Sequence, residues 1–175
     1  MSPTGWKDYF PWTRVLPTPF VVNVATLGPL GTRFKAPGTV GSAAGIIWYT
    51  MLFHHASPLA YLLLLLLTLY AGTGICGEAE KRLYKRDPGE VILDEFVVMP
   101  VCFLGLQGVI SSLGGWAWVL MLAGFALFRL FDITKPFGIS KLQDLPDGYG
   151  VMADDLAAAL VTCVLLHIGV ALLAV

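Results

Sequence analysis

The sequence predicts an all-α membrane protein, a polytopic helical bundle of about five spans, some of them short or re-entrant. Its 175 residues are 57% hydrophobic and only 13% charged, and the mean hydropathy is +0.75. This composition is typical of membrane proteins. No Asp, Glu, Lys or Arg occurs between Lys35 and Glu78, and none occurs from Phe96 to Phe128. A soluble protein of this size could not bury such long apolar runs.

The composition also limits the classes of function. The formal net charge is −1, and no basic cluster with interleaved aromatic residues occurs, so we expect no nucleic-acid partner. The three cysteines, Cys76, Cys102 and Cys163, all lie in apolar runs. This placement argues against a disulfide framework and against a cysteine metal site. The sequence predicts no particular oligomeric state.

Residues 1–35 are predicted to form an N-terminal interfacial segment, and residues 36–175 a single helical membrane domain. The first segment is rich in aromatic residues and proline, with Lys7 and Arg14 among them, which suits the lipid headgroup zone. It has no apolar core of the kind that a signal peptide needs, so we expect no cleavable signal peptide.

The first predicted span covers residues 40–53 and is short for a bilayer of roughly 30 Å. A partly submerged or re-entrant course is therefore one alternative. The small residues at positions 41–45 are expected to allow close helix packing. The sequence HHASP predicts a tight turn after this span, and residues 59–77 then form the clearest transmembrane helix.

Three more spans are predicted after the charged segment 78–90. The first covers residues 91–110, and the second covers residues 116–131 after the turn SSLGG. The third is a last helix that follows the loop 134–150 and is opened by Asp154 and Asp155. With a cytoplasmic N-terminus, all charged residues lie on the cytoplasmic side or in the inner ends of spans, as the positive-inside rule favours. We therefore expect any active site to face the cytoplasm.

Acidic residues mark three predicted helix ends on this side. Asp94 and Glu95 begin one span, and the third end carries the Asp154–Asp155 pair. At the second end, Arg129, Asp132 and Lys135 follow one another at three-residue spacing, which predicts one helix face with a carboxylate flanked by two cations. Pro136 is expected to end the helix that holds Asp132. A single acid near a helix N-terminus could simply complement the helix dipole. Convergence of all three ends favours a site for a hard cation beside phosphate-binding cations.

The segment APGTVGS, residues 36–42, offers a second half for a phosphate site. Gly38 and Gly41 allow close backbone approach, Thr39 and Ser42 carry hydroxyl groups, and the start of a helix presents free N–H groups. The alternative interpretation is that this glycine-rich turn only caps the helix.

Four blocks occur in the order APGTVGS, DPGEVILDEF, FRLFDITKPFGI and GYGVMADDLAA. Together they resemble the phosphatidylglycerophosphatase A family over residues 27–159. The resemblance implies an all-α, Mg²⁺-dependent enzyme of the bacterial inner membrane that converts phosphatidylglycerophosphate to phosphatidylglycerol. The chain departs from the family pattern after DEF, where Val98 replaces a glycine and Pro100 follows, so packing is expected to differ there.

The resemblance and the residue chemistry together imply roles for individual side chains. The expected metal ligands are carboxylates: Asp94, Glu95, Asp132, Asp154 and Asp155. The expected catalytic residues are Asp132, Glu95 and Asp155. The expected phosphate-binding residues are Thr39, Ser42, Arg129 and Lys135, with Asp87 as a weaker candidate. Asp144 and Asp147 lie outside the blocks and are expected to matter little.

Two questions stay open at this level. Water could attack the phosphorus directly, or Asp132 could form an aspartyl-phosphate intermediate. A small transporter or channel is the alternative function, because buried acids also mark ion pathways. The clustering of charged residues at one membrane face argues against that alternative.

Overall fold

The computed structural model describes residues 9–145 and 148–173, and all regular secondary structure in these ranges is helical. The α-helices are α1 (Thr18–Ala25), α2 (Leu30–Arg33), α3 (Pro37–Trp48), α4 (Pro58–Leu83), α5 (Leu93–Cys102), α6 (Gln107–Ser112), α7 (Ala117–Thr134) and α8 (Gly148–Leu172). Shorter 3₁₀ segments are Pro11–Val15, Gly114–Trp116 and Pro136–Asp144, and Tyr49–Phe53 is a π-helical turn. The prediction of an all-α protein is confirmed.

Three of the described helices are long and apolar enough to cross a membrane. They are α4 with 26 residues, α7 with its preceding 3₁₀ turn, Gly114–Thr134, with 21, and α8 with 25. At 1.5 Å per residue each is at least about 30 Å long, which matches the hydrocarbon thickness of a bilayer. The chain is therefore a membrane protein. Helix α4 continues to Leu83, six residues beyond its predicted end.

The remaining two predicted spans are shorter or interrupted. Helix α3 and the π-helical turn together cover residues 37–53, which corresponds to about 25 Å. The prediction of one continuous helix over residues 91–110 is wrong, because α5 ends at Cys102 and α6 begins at Gln107. Pro100 lacks the backbone donor of that turn, and Gly105 has a left-handed φ of 79°, which lets the chain change direction.

The helix ends meet in two groups. At one end, which we call the charged end, α3, α5 and α8 begin while α4 and α7 finish. Arg129 of α7 approaches Glu95 of α5 there, and Lys135 after α7 pairs with Asp154 of α8. At the opposite end, Gln107 donates hydrogen bonds to the carbonyl oxygen of Phe53, just before the predicted turn 54–58, and to that of Ala56 within it. The charged loops thus lie at one end of the bundle, as predicted.

Glycines on α3 bring this helix close to α5. A Cβ atom at Gly45 would lie 2.5 Å from Met99 Cγ, and one at Gly41 would lie 2.8 Å from the carbonyl oxygen of Ile92. Any larger residue at either position would force the two helices apart. The prediction that small residues allow close packing here is confirmed, and the packing places the first turn of α3 beside the first turn of α5.

The positions that depart from the family pattern lie in the core. Val98 is fully buried on α5. The carbonyl oxygen of Pro100 accepts a hydrogen bond of 2.5 Å from the hydroxyl of Tyr61 on α4. Both positions thus lie in the apolar half of α5, outside its acidic first turn.

The described part of residues 1–35 packs against the bundle. Phe10, Thr13 and Val21 are buried, and helix α1 lies along α4. The guanidinium of Arg82 on α4 donates hydrogen bonds to the carbonyl oxygens of Leu16 at 2.7 Å and Thr13 at 3.0 Å. These bonds hold the segment to the charged end of α4.

Candidate active site

Three carboxylates from two helices come together at the charged end. Asp94 and Glu95 occupy the first turn of α5, and Asp155 lies on α8. One oxygen from each of these side chains lies within 4.8 Å of the other two. Asp94 and Asp155 are only 4% exposed. We call Asp94, Glu95 and Asp155 the acidic trio.

Asp154 and Asp155 were predicted to open the last helix, and this prediction is wrong. Helix α8 begins at Gly148, so both acids lie in its second turn. The helix starts early because Gly148 packs against α4, where a Cβ atom would lie 2.6 Å from the backbone of Gly77. The helix-dipole explanation depends on the first turn, so it does not account for these two acids.

The donor set of the acidic trio fits a hard divalent cation. Mg²⁺ is bound by oxygen ligands, commonly a few carboxylates completed by water and substrate phosphate. Among the described residues, Glu95 Oε2 is buried and has no hydrogen-bond partner. Three buried carboxylates this close together repel one another in a medium of low dielectric constant, and a cation between them would remove that cost.

Arg129 contacts the acids from the side of α7. Its Nη1 atom lies 2.6 Å from Asp132 Oδ2, 3.6 Å from Glu95 Oε1 and 3.4 Å from the hydroxyl oxygen of Ser42. The predicted i, i+3 pairing of Arg129 with Asp132 is confirmed. Arg129 Nε is buried without a partner in the described part of the chain.

Lys135 turns away from the face on which it was predicted. Helix α7 ends at Thr134, as expected before Pro136, and Lys135 has a left-handed φ of 43°. Its ammonium group therefore pairs with Asp154 on α8. Burial disfavours the charged form of Lys135, but the hydrogen bond to Asp154 and the nearby carboxylates outweigh burial, so its pKa is raised. The ammonium group stays charged at neutral pH.

A cavity of about 200 Å³ lies between these groups. Its charged lining consists of one cation and six acids: Lys135, Asp87, Asp94, Glu95, Asp132, Asp154 and Asp155. The wall also includes Gly89, Val91 and Val151. We call this space the acidic cavity. It can hold a cation and a small anionic group, because its wall offers oxygen ligands and one ammonium donor.

Asp87 is held at the rim by residues that the sequence analysis missed. Its side chain accepts a hydrogen bond of 3.0 Å from Gln143, and its backbone N–H donates to Glu80 Oε1 at 2.6 Å. Asp87 has a left-handed φ of 44°. Gln143 lies in a loop outside the four blocks, and Glu80 lies in the charged segment 78–90. Neither position has a sequence pattern that indicates contact with Asp87.

The glycine-rich turn at the start of α3 lies behind the wall of the acidic cavity. The hydroxyl of Ser42 donates to the carbonyl oxygen of Gly38 at 2.8 Å and faces Arg129. A Cβ atom at Gly38 would lie 2.2 Å from Glu95 Oε1. Thr39, Ser42 and Arg129 are not part of the cavity lining, so their direct contact with phosphate stays a prediction.

Family membership is shown by a match over most of the chain. A model of the phosphatidylglycerophosphatase A family matches residues 23–170. The chain belongs to this family. No solved structure gives a significant match to it.

Relatives of the family member are bacterial. A phosphatidylglycerophosphatase A from Haemophilus influenzae is 35% identical over 74% of this chain and 76% of its own length. The protein of the same name from Escherichia coli is 32% identical over 75% and 72%, respectively. A Bacteroides thetaiotaomicron protein, provisionally named a phosphatidylinositol-3-phosphatase, is 34% identical over 76% and 82%.

All four blocks of this phosphatidylglycerophosphatase A family member converge on the charged end. The second, third and fourth blocks supply every charged residue of the cavity lining. The first block packs behind Glu95. Asp144 is exposed on the 3₁₀ segment Pro136–Asp144 and outside the acidic cavity, whereas Asp147 lies outside the described residues.

Proposed function

We propose that this protein is a Mg²⁺-dependent lipid phosphatase that hydrolyses phosphatidylglycerophosphate to phosphatidylglycerol and phosphate. One observation carries the proposal: the acidic trio and Lys135 line a single cavity at the charged end of membrane helices. The family membership and the names of two relatives support the choice of headgroup.

The acidic trio would hold the ion. The expected ligand set included Asp132 and Asp154, but each of these is already paired with a cation of the chain. When bound, Mg²⁺ supplies positive charge that stabilises the phosphoryl oxygens as their charge develops in the transition state. Asp94, Glu95 and Asp155 supply the negative charge that keeps such an ion in the cavity.

Lys135 is the described cation that faces the cavity directly. Its ammonium donors suit a phosphate oxygen. Asp154 orients this ammonium group and would share it with the substrate. Arg129 instead acts on the acids, because its guanidinium holds Asp132 and Glu95 at fixed positions relative to Ser42.

We propose Asp132 for the chemical step, since it lines the cavity outside the acidic trio and Arg129 fixes its position. Asp154 is engaged by Lys135, and Asp87 is held at the rim by Gln143. In direct attack, a water oxygen bonds to phosphorus, the ester bond breaks, and Asp132 accepts the proton of the water. The leaving glycerol oxygen then takes a proton from solvent. In covalent catalysis, a carboxylate oxygen of Asp132 bonds to phosphorus while the ester bond breaks, and the leaving glycerol oxygen takes a proton from solvent. Water then attacks phosphorus and breaks the aspartyl O–P bond, which releases phosphate and restores the carboxylate.

The membrane setting suits a lipid substrate. A phosphomonoester on a lipid lies at headgroup depth, where helix ends and charged loops meet. The positive-inside rule favours a cytoplasmic position for this end, because Lys81, Lys85, Arg86 and Lys141 lie there. We therefore propose that the site faces the cytoplasm at a bacterial inner membrane.

The decisive experiment measures phosphate release by the purified protein in detergent, with Mg²⁺ and after chelation. We expect release from phosphatidylglycerophosphate only with Mg²⁺. Phosphatidylinositol 3-phosphate should be included, since one relative carries that substrate in its name. A faster rate with this second lipid would overturn the proposed headgroup. Ion flux through liposomes without any phosphatase activity would favour the transporter alternative.

Acid quenching during a single turnover distinguishes the two chemical routes, whereas solvent-oxygen labelling alone does not. In a single turnover in labelled water, direct attack places the label in the released phosphate. An aspartyl-phosphate route, cleaved at phosphorus, also labels the phosphate, but it leaves a phosphorylated protein that acid quenching can trap on Asp132. The Asp132→Asn variant supplies the blank for that trapping experiment.

A further inference from the structure

An apolar groove runs between α7 and α8 directly below the acidic cavity. On α7, Phe131 lines the groove and directly precedes Asp132, which lines the acidic cavity. On α8, Val161 and Leu165 follow Asp154 at seven and eleven residues, on one face of the helix. The Lys135–Asp154 ion pair thus closes the polar end of this groove.

The groove continues along most of the two helices. Its upper part, of about 450 Å³, is lined by Phe131, Leu160, Val161, Val164 and Leu165. Its lower part, of about 390 Å³, shares Leu165 and extends to Trp116 in the 3₁₀ turn before α7. From Phe131 to Trp116 the helix rises about 22 Å, which exceeds half of the roughly 30 Å hydrocarbon core of a bilayer.

We propose that this groove binds one acyl chain of the phospholipid substrate while its phosphomonoester occupies the acidic cavity. The inference rests on the proposed function. One amphiphile explains both features: the lining is apolar along its whole length, and the groove ends at the ammonium and carboxylate groups of the ion pair. The binding energy of the chain would hold the headgroup in register with the reacting groups.

Gly169 offers a way to fill the groove without disturbing the bundle. It lies in the wall of the lower part, and a Cβ atom there would meet nothing within 4 Å. Glycine has a lower helix propensity than phenylalanine, so the replacement also favours the helical backbone. The Gly169→Phe variant is therefore expected to fold and to obstruct the lower groove.

The test compares dipalmitoyl and dihexanoyl phosphatidylglycerophosphate in detergent with Mg²⁺. For Gly169→Phe we expect kcat/KM to fall about tenfold for the long-chain substrate, mostly through KM, which corresponds to about 1.4 kcal/mol of lost chain binding. The short-chain substrate should be unaffected, because its chains end above Gly169. The control is Leu66→Phe on α4, which introduces the same side chain at a position that is 55% exposed and outside the groove, and it should change neither rate.

Equal effects of Gly169→Phe on both substrates, or no effect on either, would overturn the proposal. A shift from dimer to monomer in the variant would also overturn it, since the groove would then be an interface between two copies. If the wild-type protein cleaves neither lipid, the proposed function fails instead. Labelling with a phospholipid that carries a photoreactive acyl chain then still tests the groove, and equal labelling of α4 and of the groove-lining helices would contradict it.

Discussion

Two arginines at the charged end make nearly matched ion pairs but serve different purposes. Arg82 lies 2.9 Å from Glu78 on α4, and Arg129 lies 2.6 Å from Asp132 on α7. The side chains of both pairs are 12% to 16% exposed. Arg82 directs its other donors to two backbone carbonyls, and Glu78 also accepts from the hydroxyl of Thr13 at 3.5 Å. This pair is chemically complete.

Around Arg129, by contrast, some buried polar atoms lack hydrogen-bond partners within the described ranges. The Nε of Arg129 and the Oε2 of Glu95 are both buried without partners among the described residues, and a buried unsatisfied group costs about 1 to 3 kcal/mol. Six carboxylates line the cavity beside it. The difference indicates that the first pair stabilises the fold, whereas the second maintains a site that gains stability from a ligand.

The largest effect is expected from the acidic trio. Asp94→Asn and Asp155→Asn keep the volume of each side chain and remove an anionic oxygen, so phosphate release at saturating Mg²⁺ should fall about 10³-fold. Asp144→Asn, on the exposed 3₁₀ segment, is the control and should stay within twofold. Full activity of both trio variants at limiting Mg²⁺ would show that the site lies elsewhere.

Binding of Mg²⁺ should also appear without any substrate. An ion at a hundred times its Kd stabilises the folded state by about 2.7 kcal/mol, which corresponds to a rise in Tm of roughly 5 to 10 °C for a chain of this size. Thermal unfolding in detergent, followed by tryptophan fluorescence, measures this shift. The same rise in Asp155→Asn would exclude the acidic trio as the binding site.

Lysine substitutions at the two arginines should have opposite consequences. Arg129→Lys replaces the rigid guanidinium, whose Nη1 atom contacts Ser42, Asp132 and Glu95, with a flexible ammonium group, so kcat should fall about tenfold with little change in Tm. Arg82→Lys loses contacts to the N-terminal segment, so Tm should drop by several degrees with little change in kcat. Both variants should be assayed for kcat and for Tm. Equal changes in kcat and Tm in the two variants would show that the two arginines do not differ in role.

The smallest effect is expected at Ser42. Ser42→Ala removes the hydroxyl beside Arg129 and loosens the guanidinium, which should cost about 1 kcal/mol, or roughly a fivefold loss of activity. Thr68→Ala is the matched control, because its hydroxyl also donates to the carbonyl four residues earlier, at 2.9 Å. A loss of equal size in both variants would mean that Ser42 acts only through its helix.

Features that depend on near neighbours in the chain could be predicted from the sequence. The end of α7 before Pro136 and the pairing of Arg129 with Asp132 follow from proline chemistry and helical spacing. The break after Cys102 also had a local signal in Pro100, although the direction of the chain there depends on a left-handed Gly105. The early start of α8 could not be predicted in this way, because the contact of Gly148 with α4 is a tertiary one.

The candidate site was predicted as a set of residues but not as an arrangement. All five expected metal ligands line the cavity, yet only Asp94, Glu95 and Asp155 form a compact group. Asp132 and Asp154 are engaged by Arg129 and Lys135, and the direction of Lys135 depends on a left-handed φ that no residue pattern indicated. Gln143 and Glu80, which hold Asp87, lie outside the blocks.

The sequence by itself determined that this protein is a helical membrane protein with its charge at one end. Lipid excludes unpaired charge and unbonded backbone, so the apolar runs and their charged boundaries restrict the architecture without reference to distant contacts. Which carboxylates meet was decided only by the tertiary structure. Close approach of α3 to α5 at Gly41 and Gly45, and of α8 to α4 at Gly148, sets the helix positions, and distances between helices are not encoded in spacing along one chain.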